Sequence, residues 1–175
     1  MSLTTLSLLF LAALWSAPDA PTERFYYVGE VVTSDADGAP TGSQVILLEK
    51  IHDPDASTLT ERAIVVRPTG EAEEQTVVFA VAADGSFTVS DAAGMTEGEG
   101  QLHGAPWAWT YFEATYRHRS GVTIEDENTM NDPSVVTARK VLRMPDGSVF
   151  MHMDVTLKAV TPATFEILAA GLLGD

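Results

Sequence analysis

The chain has 175 residues, 45% of them hydrophobic, enough for one domain with a substantial core. Its formal net charge of −15 falls mostly on the first hundred residues, and so acidic a chain is repelled by phosphate backbones and anionic membrane surfaces, which argues against nucleic acid as a partner. There is no cysteine, so disulfides, thiolate chemistry and a cysteine-borne lipid anchor are excluded.

At the front, Leu3 to Ala17 is apolar and carries no charged side chain. That length suits the core of a signal peptide better than a membrane span. Residues 1–20 are accordingly expected to be a signal-like helix that is removed. Residues 21–175 are expected to form one antiparallel β-barrel domain, periplasmic or secreted and without stable membrane insertion. The alternative is an N-terminal helix packed on the sheet, with Ser2 as its N-cap.

Strands follow in quick succession. Arg24 to Thr33 reads as the first, and Gly29 within it suggests a bulge. Ser43 to Ile51 is the second. Val45, Leu47 and Ile51 share one face and Ile46 and Leu48 the other, so burial is expected on both sides. Thr60 to Arg67 and Gln75 to Ala83 come next; Asp84-Gly85 then makes a hairpin turn into Ser86 to Ser90. Gly94 to Gly104 is glycine-rich but lacks the Gly-Lys-Ser/Thr of a phosphate loop, and reads as a short bent strand with Glu97 and Glu99 on one face.

Trp107 to Lys158 contains four strands separated by turn signals at Ser120-Gly121, Asn131-Asp132-Pro133 and Pro145-Asp146-Gly147. The last of these strands alternates most cleanly: Val149, Met151, Met153, Val155 and Leu157 lie on one face, which should be core. In the first, Trp107, Trp109, Tyr111, Glu113 and Arg117 are expected on one face, with Ala108, Thr110, Phe112, Ala114, Tyr116 and His118 on the other. After Thr161-Pro162 a final strand is expected over Ala163 to Leu168, with no internal helix. The fold class is thus all-β. An antiparallel meander of about ten strands is expected to close into a barrel or sandwich, because closure removes exposed edges.

The run of sequential hairpins over 107–158, behind an export-like N-terminus, resembles the calycin architecture of lipocalin-like barrels and the small lipocalin-like proteins of bacteria. The nearest counterpart of the lipocalin Gly-x-Trp signature is Gly104-Ala105-Pro106-Trp107, placed in mid-chain and with different spacing. The resemblance implies a small apolar molecule held in the barrel mouth; it does not imply an activity.

Candidate site residues follow from that picture. Trp107, Trp109 and Tyr111 supply rigid aromatic wall, Met151 and Met153 an adaptable apolar one, and Glu113 and Arg117 polar contacts on the same face as the aromatics. No cofactor or metal is expected: His52, His103, His118 and His152 form no ligand spacing, and no serine sits in a nucleophile elbow. Arg117-His118-Arg119 is expected to balance Glu125-Asp126-Glu127 across a hairpin. The leading function is an exported, non-enzymatic barrel binding a small, largely apolar ligand in a cavity of several hundred Å3. One alternative is a lipocalin-shaped hydrolase or isomerase using a desolvated Glu113; the other is an envelope protein-interaction module.

Overall fold

A computed structural model describes residues 22–67, 69–91, 93–105 and 108–173. The expected signal segment, residues 1–20, and Trp107 lie outside the described residues. Ten strands run in chain order: β1 (Glu23–Ser34), β2 (Pro40–Asp53), β3 (Thr58–Val66), β4 (Ala72–Val81), β5 (Ser86–Asp91), β6 (Thr96–Ala105), β7 (Ala108–His118), β8 (Thr123–Asp132), β9 (Val135–Arg143) and β10 (Val149–Ala159). Each pairs antiparallel with the next, and β1 pairs with β10, so the meander closes into an up-and-down barrel with no free edge. A barrel widens with strand number, and eight strands already admit side chains or one small ligand.

Local chemistry sets the turns. Gly85, Gly121 and Gly147 all have φ between 83° and 88°, which only glycine adopts without strain. Asp84 and Asp146 each bind the backbone N–H and the hydroxyl of a serine two residues on, Ser86 and Ser148. The expected bulge at Gly29 is absent: β1 runs in unbroken register there, and a Cβ at Gly29 would overlap the Thr156 carbonyl of β10. Glycine is required at that position for close approach of two backbones.

The main core fills the closed end of the barrel, the end holding the β2–β3, β4–β5, β6–β7 and β8–β9 turns. Phe79, Phe87, Phe112 and Trp109 pack edge to face there, with centroids 4.9–6.3 Å apart. Inward-facing Gly98 and Gly100 of β6 make room for aromatic rings. A Cβ at Gly98 would come within 2.7 Å of Tyr116 Cδ1, and one at Gly100 would overlap the Phe87 ring.

A second core lies outside the barrel. The segment expected as a last strand over Ala163 to Leu168 is instead helix α1 (Pro162–Leu173). Thr161 is its N-cap: its Oγ1 accepts the Thr164 N–H at 3.2 Å, and Pro162 occupies the first helical position, where its missing N–H costs nothing. A short apolar run does not reveal its own period, and the Thr-Pro pair was a helix start rather than a turn. Phe165 and Ala169, four residues apart on one helix face, pack against Leu47 of β2 and Ile64 of β3; all four are buried. The burial expected on both faces of β2 is found at Leu47 and Leu48, with α1 covering Leu47 on the outer face, whereas Val45 on that face is 46% exposed. The far side of α1 leaves Ile167 73% exposed. Among the described residues no helix is long and apolar enough to cross a membrane.

Candidate functional site

Inside the barrel, above the aromatic floor, is a cavity of about 610 Å3. That volume is within the range of small-molecule pockets, roughly 300–1,000 Å3. Much of its wall is apolar, including Leu48, Val77, Phe79, Ala138, Met153 and Val155. It reaches the end of the barrel where Asp91, Ala93, Met95 and His118 form the lip.

Two ion pairs interrupt this wall. Lys50 Nζ lies 2.7 Å from Glu61 Oε1, a contact between neighbouring strands β2 and β3. The lysine side chain is 3% exposed, and its ammonium sits 4.9 Å from the centroid of the Trp109 ring and 5.8 Å from that of Phe112. On a separate stretch of wall, Asp126 of β8 is almost wholly buried and fully engaged. It accepts Tyr116 Oη–H at 3.1 Å, Asn128 Nδ2–H at 2.8 Å and the ammonium of Lys140 of β9. Burial, then the charges of Asp126 and Glu61, push the Tyr116 phenol well above its usual range, so it stays a donor at neutral pH.

An isolated buried charge costs several kcal/mol, so each of these groups needs its partner. The Asp126 cluster is satisfied. Glu61 is less so: Lys50, on Oε1, is its one partner among the described residues, and its side chain is 19% exposed and lines the cavity.

The structure divides the expected site residues. Met153 lines the cavity, and Met151 shares its strand face. Trp109 is buried in the closed end, beneath Lys50, rather than in the cavity wall. Tyr111, Glu113 and Arg117 lie on the outer face of β7. The alternation expected for that strand fails because the register shifts opposite His103 and Gly104: Gly104 pairs with Trp109 and His103 with Tyr111, so Thr110 is an extra residue. One inserted residue exchanges the faces, placing Trp109 and Phe112 both inside. Glu113, 57% exposed, accepts a hydrogen bond from Tyr111 Oη at 3.3 Å and lies 3.7 Å from His103 Nε2. The desolvation that the enzyme alternative required of Glu113 is therefore not found. The expected pairing of Arg117-His118-Arg119 with Glu125-Asp126-Glu127 is replaced as well. Glu125 takes a two-pronged pair from Arg143, at 2.9 and 3.1 Å, Asp126 points inward, and Arg117 stands opposite Thr123.

The polar groups of the cavity were missed by sequence reasoning, yet a signal for them exists. Lys50 shares a face with Ile46 and Leu48, Glu61 with Leu59 and Ala63, and Asp126 with Ile124 and Met130. A charge in step with an apolar alternation marks an inward-facing charge.

No protein-family model and no curated protein sequence matches the chain. Among solved structures, it is similar to a protein of unknown function of the DUF3598 family from Nostoc punctiforme PCC 73102, with TM-score 0.58 and 12% identity. That match covers 77% of this chain and 46% of the other, so the chain spans about half the length of that relative. It is also similar to the S-type phycobiliprotein lyase CPES from Guillardia theta, with TM-score 0.56 and 8% identity over 78% of this chain and 87% of that one. A bovine odorant binding protein, a deswapped triple mutant, superimposes at TM-score 0.38 and 9% identity over 86% and 85%. At such identities likeness extends to the fold alone. In fold, the chain is a closed ten-stranded antiparallel barrel, similar to the DUF3598 protein and to the phycobiliprotein lyase.

Proposed function

We propose that the protein binds a small, largely apolar molecule inside the barrel, entering past the lip at Asp91, Met95 and His118. The observation that carries this reading is the cavity of about 610 Å3, open at one end and lined by apolar side chains with a few fixed polar groups, which is the composition of a ligand pocket. Its floor is rigid, because four interlocked aromatic rings close it. The walls are adaptable where Met153 contributes. Export to the periplasm or beyond is part of the proposal. It is supported by the apolar, uncharged run Leu3 to Ala17, and amino-terminal sequencing of the protein recovered from producing cells tests it.

The binding reading is tested with the neutral dye Nile red, followed by fluorescence. Saturable binding to the wild-type barrel is expected, and its loss in Ala138→Trp, whose indole would occupy the cavity. Far-UV circular dichroism and cooperative unfolding of the variant show that the barrel persists. Undiminished dye binding to folded Ala138→Trp would overturn the proposal. Met153→Trp approaches the cavity from another strand and serves if the first variant does not fold.

A further inference from the structure

We propose that the cavity prefers an apolar molecule carrying a protonated amine, with the Glu61 carboxylate as its counter-charge. This deepens, and rests on, the reading of the cavity as a ligand site. Three observations converge on it.

The first is the charge of the wall. Glu61, Glu73, Glu74, Asp91 and Asp126 line the cavity, against only Lys50 and Lys140. Arg67 and Arg62 offset Glu73 and Glu74 through ion pairs at the rim. Asp91 accepts the Met95 backbone N–H at 2.8 Å and has no ion pair among the described residues. A cation approaching the lip is attracted and an anion repelled, and the low-dielectric wall focuses that field.

The second is which acceptor remains open. Asp126 has donors on both oxygens, from Asn128 on one and from Tyr116 and Lys140 on the other. Glu61, by contrast, has Lys50 alone, at 2.7 Å from Oε1; its side chain lines the cavity, 19% exposed, and among the described residues no donor reaches its second oxygen. A carboxylate inside a barrel accepts hydrogen bonds and cannot supply them, so the group that completes it is a donor, and a charged donor completes it best.

The third is the posture of Lys50. Its ammonium lies over the faces of Trp109 and Phe112 and against Glu61. A ligand carboxylate reaching for Lys50 would have to compete with Glu61 and with the two aromatic faces that already hold the ammonium. A ligand ammonium entering from the lip side meets Glu61 while its hydrocarbon body lies along Leu48, Val77 and Val155.

The test uses three probes of equal chain length, n-decylamine, n-decanol and n-decanoate, in competition with Nile red at pH 7. Decylamine is expected to bind at least tenfold more tightly than decanoate and more tightly than decanol. Glu61→Gln should abolish the advantage of amine over alcohol while leaving decanol binding in place. If the single variant does not fold because Lys50 is left unpaired, Lys50→Met/Glu61→Gln carries the same comparison. Decanoate binding as tightly as decylamine, or an amine preference that survives the loss of Glu61, would overturn this inference and leave the cavity reading standing. Failure of all three probes and of the dye to bind the wild-type protein would overturn both.

Discussion

Lys50 and Glu61 face each other at 2.7 Å inside an apolar barrel, and the same ammonium rests 4.9 Å from the centroid of the Trp109 ring. The pair is held by register: Lys50 is directly opposite Glu61 in the β2–β3 ladder, so no loop is needed to bring them together. Removing one member leaves the other charged in a low-dielectric interior, a cost of about 3–5 kcal/mol when a buried pair is broken. Glu61→Leu should therefore lower urea-unfolding stability by several times the cost of an exposed substitution, and Lys50→Met likewise. Lys50→Met/Glu61→Leu should recover most of the loss. A double variant as unstable as the sum of its singles would contradict the pairing.

Helix α1 is tied to the barrel by one large anchor. Phe165 is fully buried between Leu47, Ile64 and the ring of Tyr26, whose centroid is 5.1 Å away. Phe165→Ala is expected to cost about 3–5 kcal/mol. Thr161→Ala, which removes the N-cap, is expected to cost about 1 kcal/mol. Denaturant unfolding checks the order; a Thr161 effect equal to that of Phe165 would mean that the helix is held by its cap rather than by its face.

Acid should weaken the fold partly through His52. This residue lies on the inner face of β2 with its ring 4.9 Å from that of Phe25, and burial, followed by the charge of Lys50, depresses its pKa to about 4. A folded-state value below the unfolded value of about 6.5 means that the unfolded chain takes up the proton first. The stabilisation is therefore complete above about pH 6.5 and drains away as the pH falls toward 4. Carboxylates titrate near the lower limit, so the informative quantity is the difference between proteins. The melting temperature of wild type should fall faster than that of His52→Leu between pH 6.5 and 5. Parallel curves would remove His52 from the account.

Gly100 is expected to tolerate no side chain. A Cβ there would overlap both the Phe87 ring and the carbonyl of Glu113 on the neighbouring strand, so Gly100→Ala must displace backbone or break the aromatic floor. Overpacking of this kind costs about 1–3 kcal/mol. The near-ultraviolet circular dichroism of the Trp109–Phe112–Phe87 cluster should change along with stability. Gly38, in the β1–β2 loop with open space around it, offers the contrast: its φ of 85° makes Gly38→Ala mildly strained, with the aromatic spectrum unaltered.

Much of the architecture was legible along the chain because the interactions that set it are local. Turn residues fix hairpins within a few positions, alternation fixes which side of a strand is wet, and ten hairpin-linked strands hide their edges by closing into a barrel or a sandwich. The inner face of β10 and the two-sided burial of β2 could be read directly from residues such as Met153, Leu47 and Leu48. The candidate site was another matter. Thr110 inserts one residue into β7, and from that point the faces exchange, turning Tyr111, Glu113 and Arg117 outward and Phe112 inward. A period of two carries no memory across such an insertion, so only the pairing with β6 decides it. The cavity's charge partners are non-local in the same sense: Lys50 meets Glu61, and Asp126 meets Lys140, because the ladders set them opposite each other. The residue Phe165, in an apolar run of ambiguous period, became helical because the outer faces of Leu47 and Ile64 needed cover. The sequence by itself determined an all-β meander of about ten strands that closes on itself, and the β1–β10 pairing decided that it closes as a barrel rather than a sandwich. The tertiary structure decided what that barrel holds against its wall.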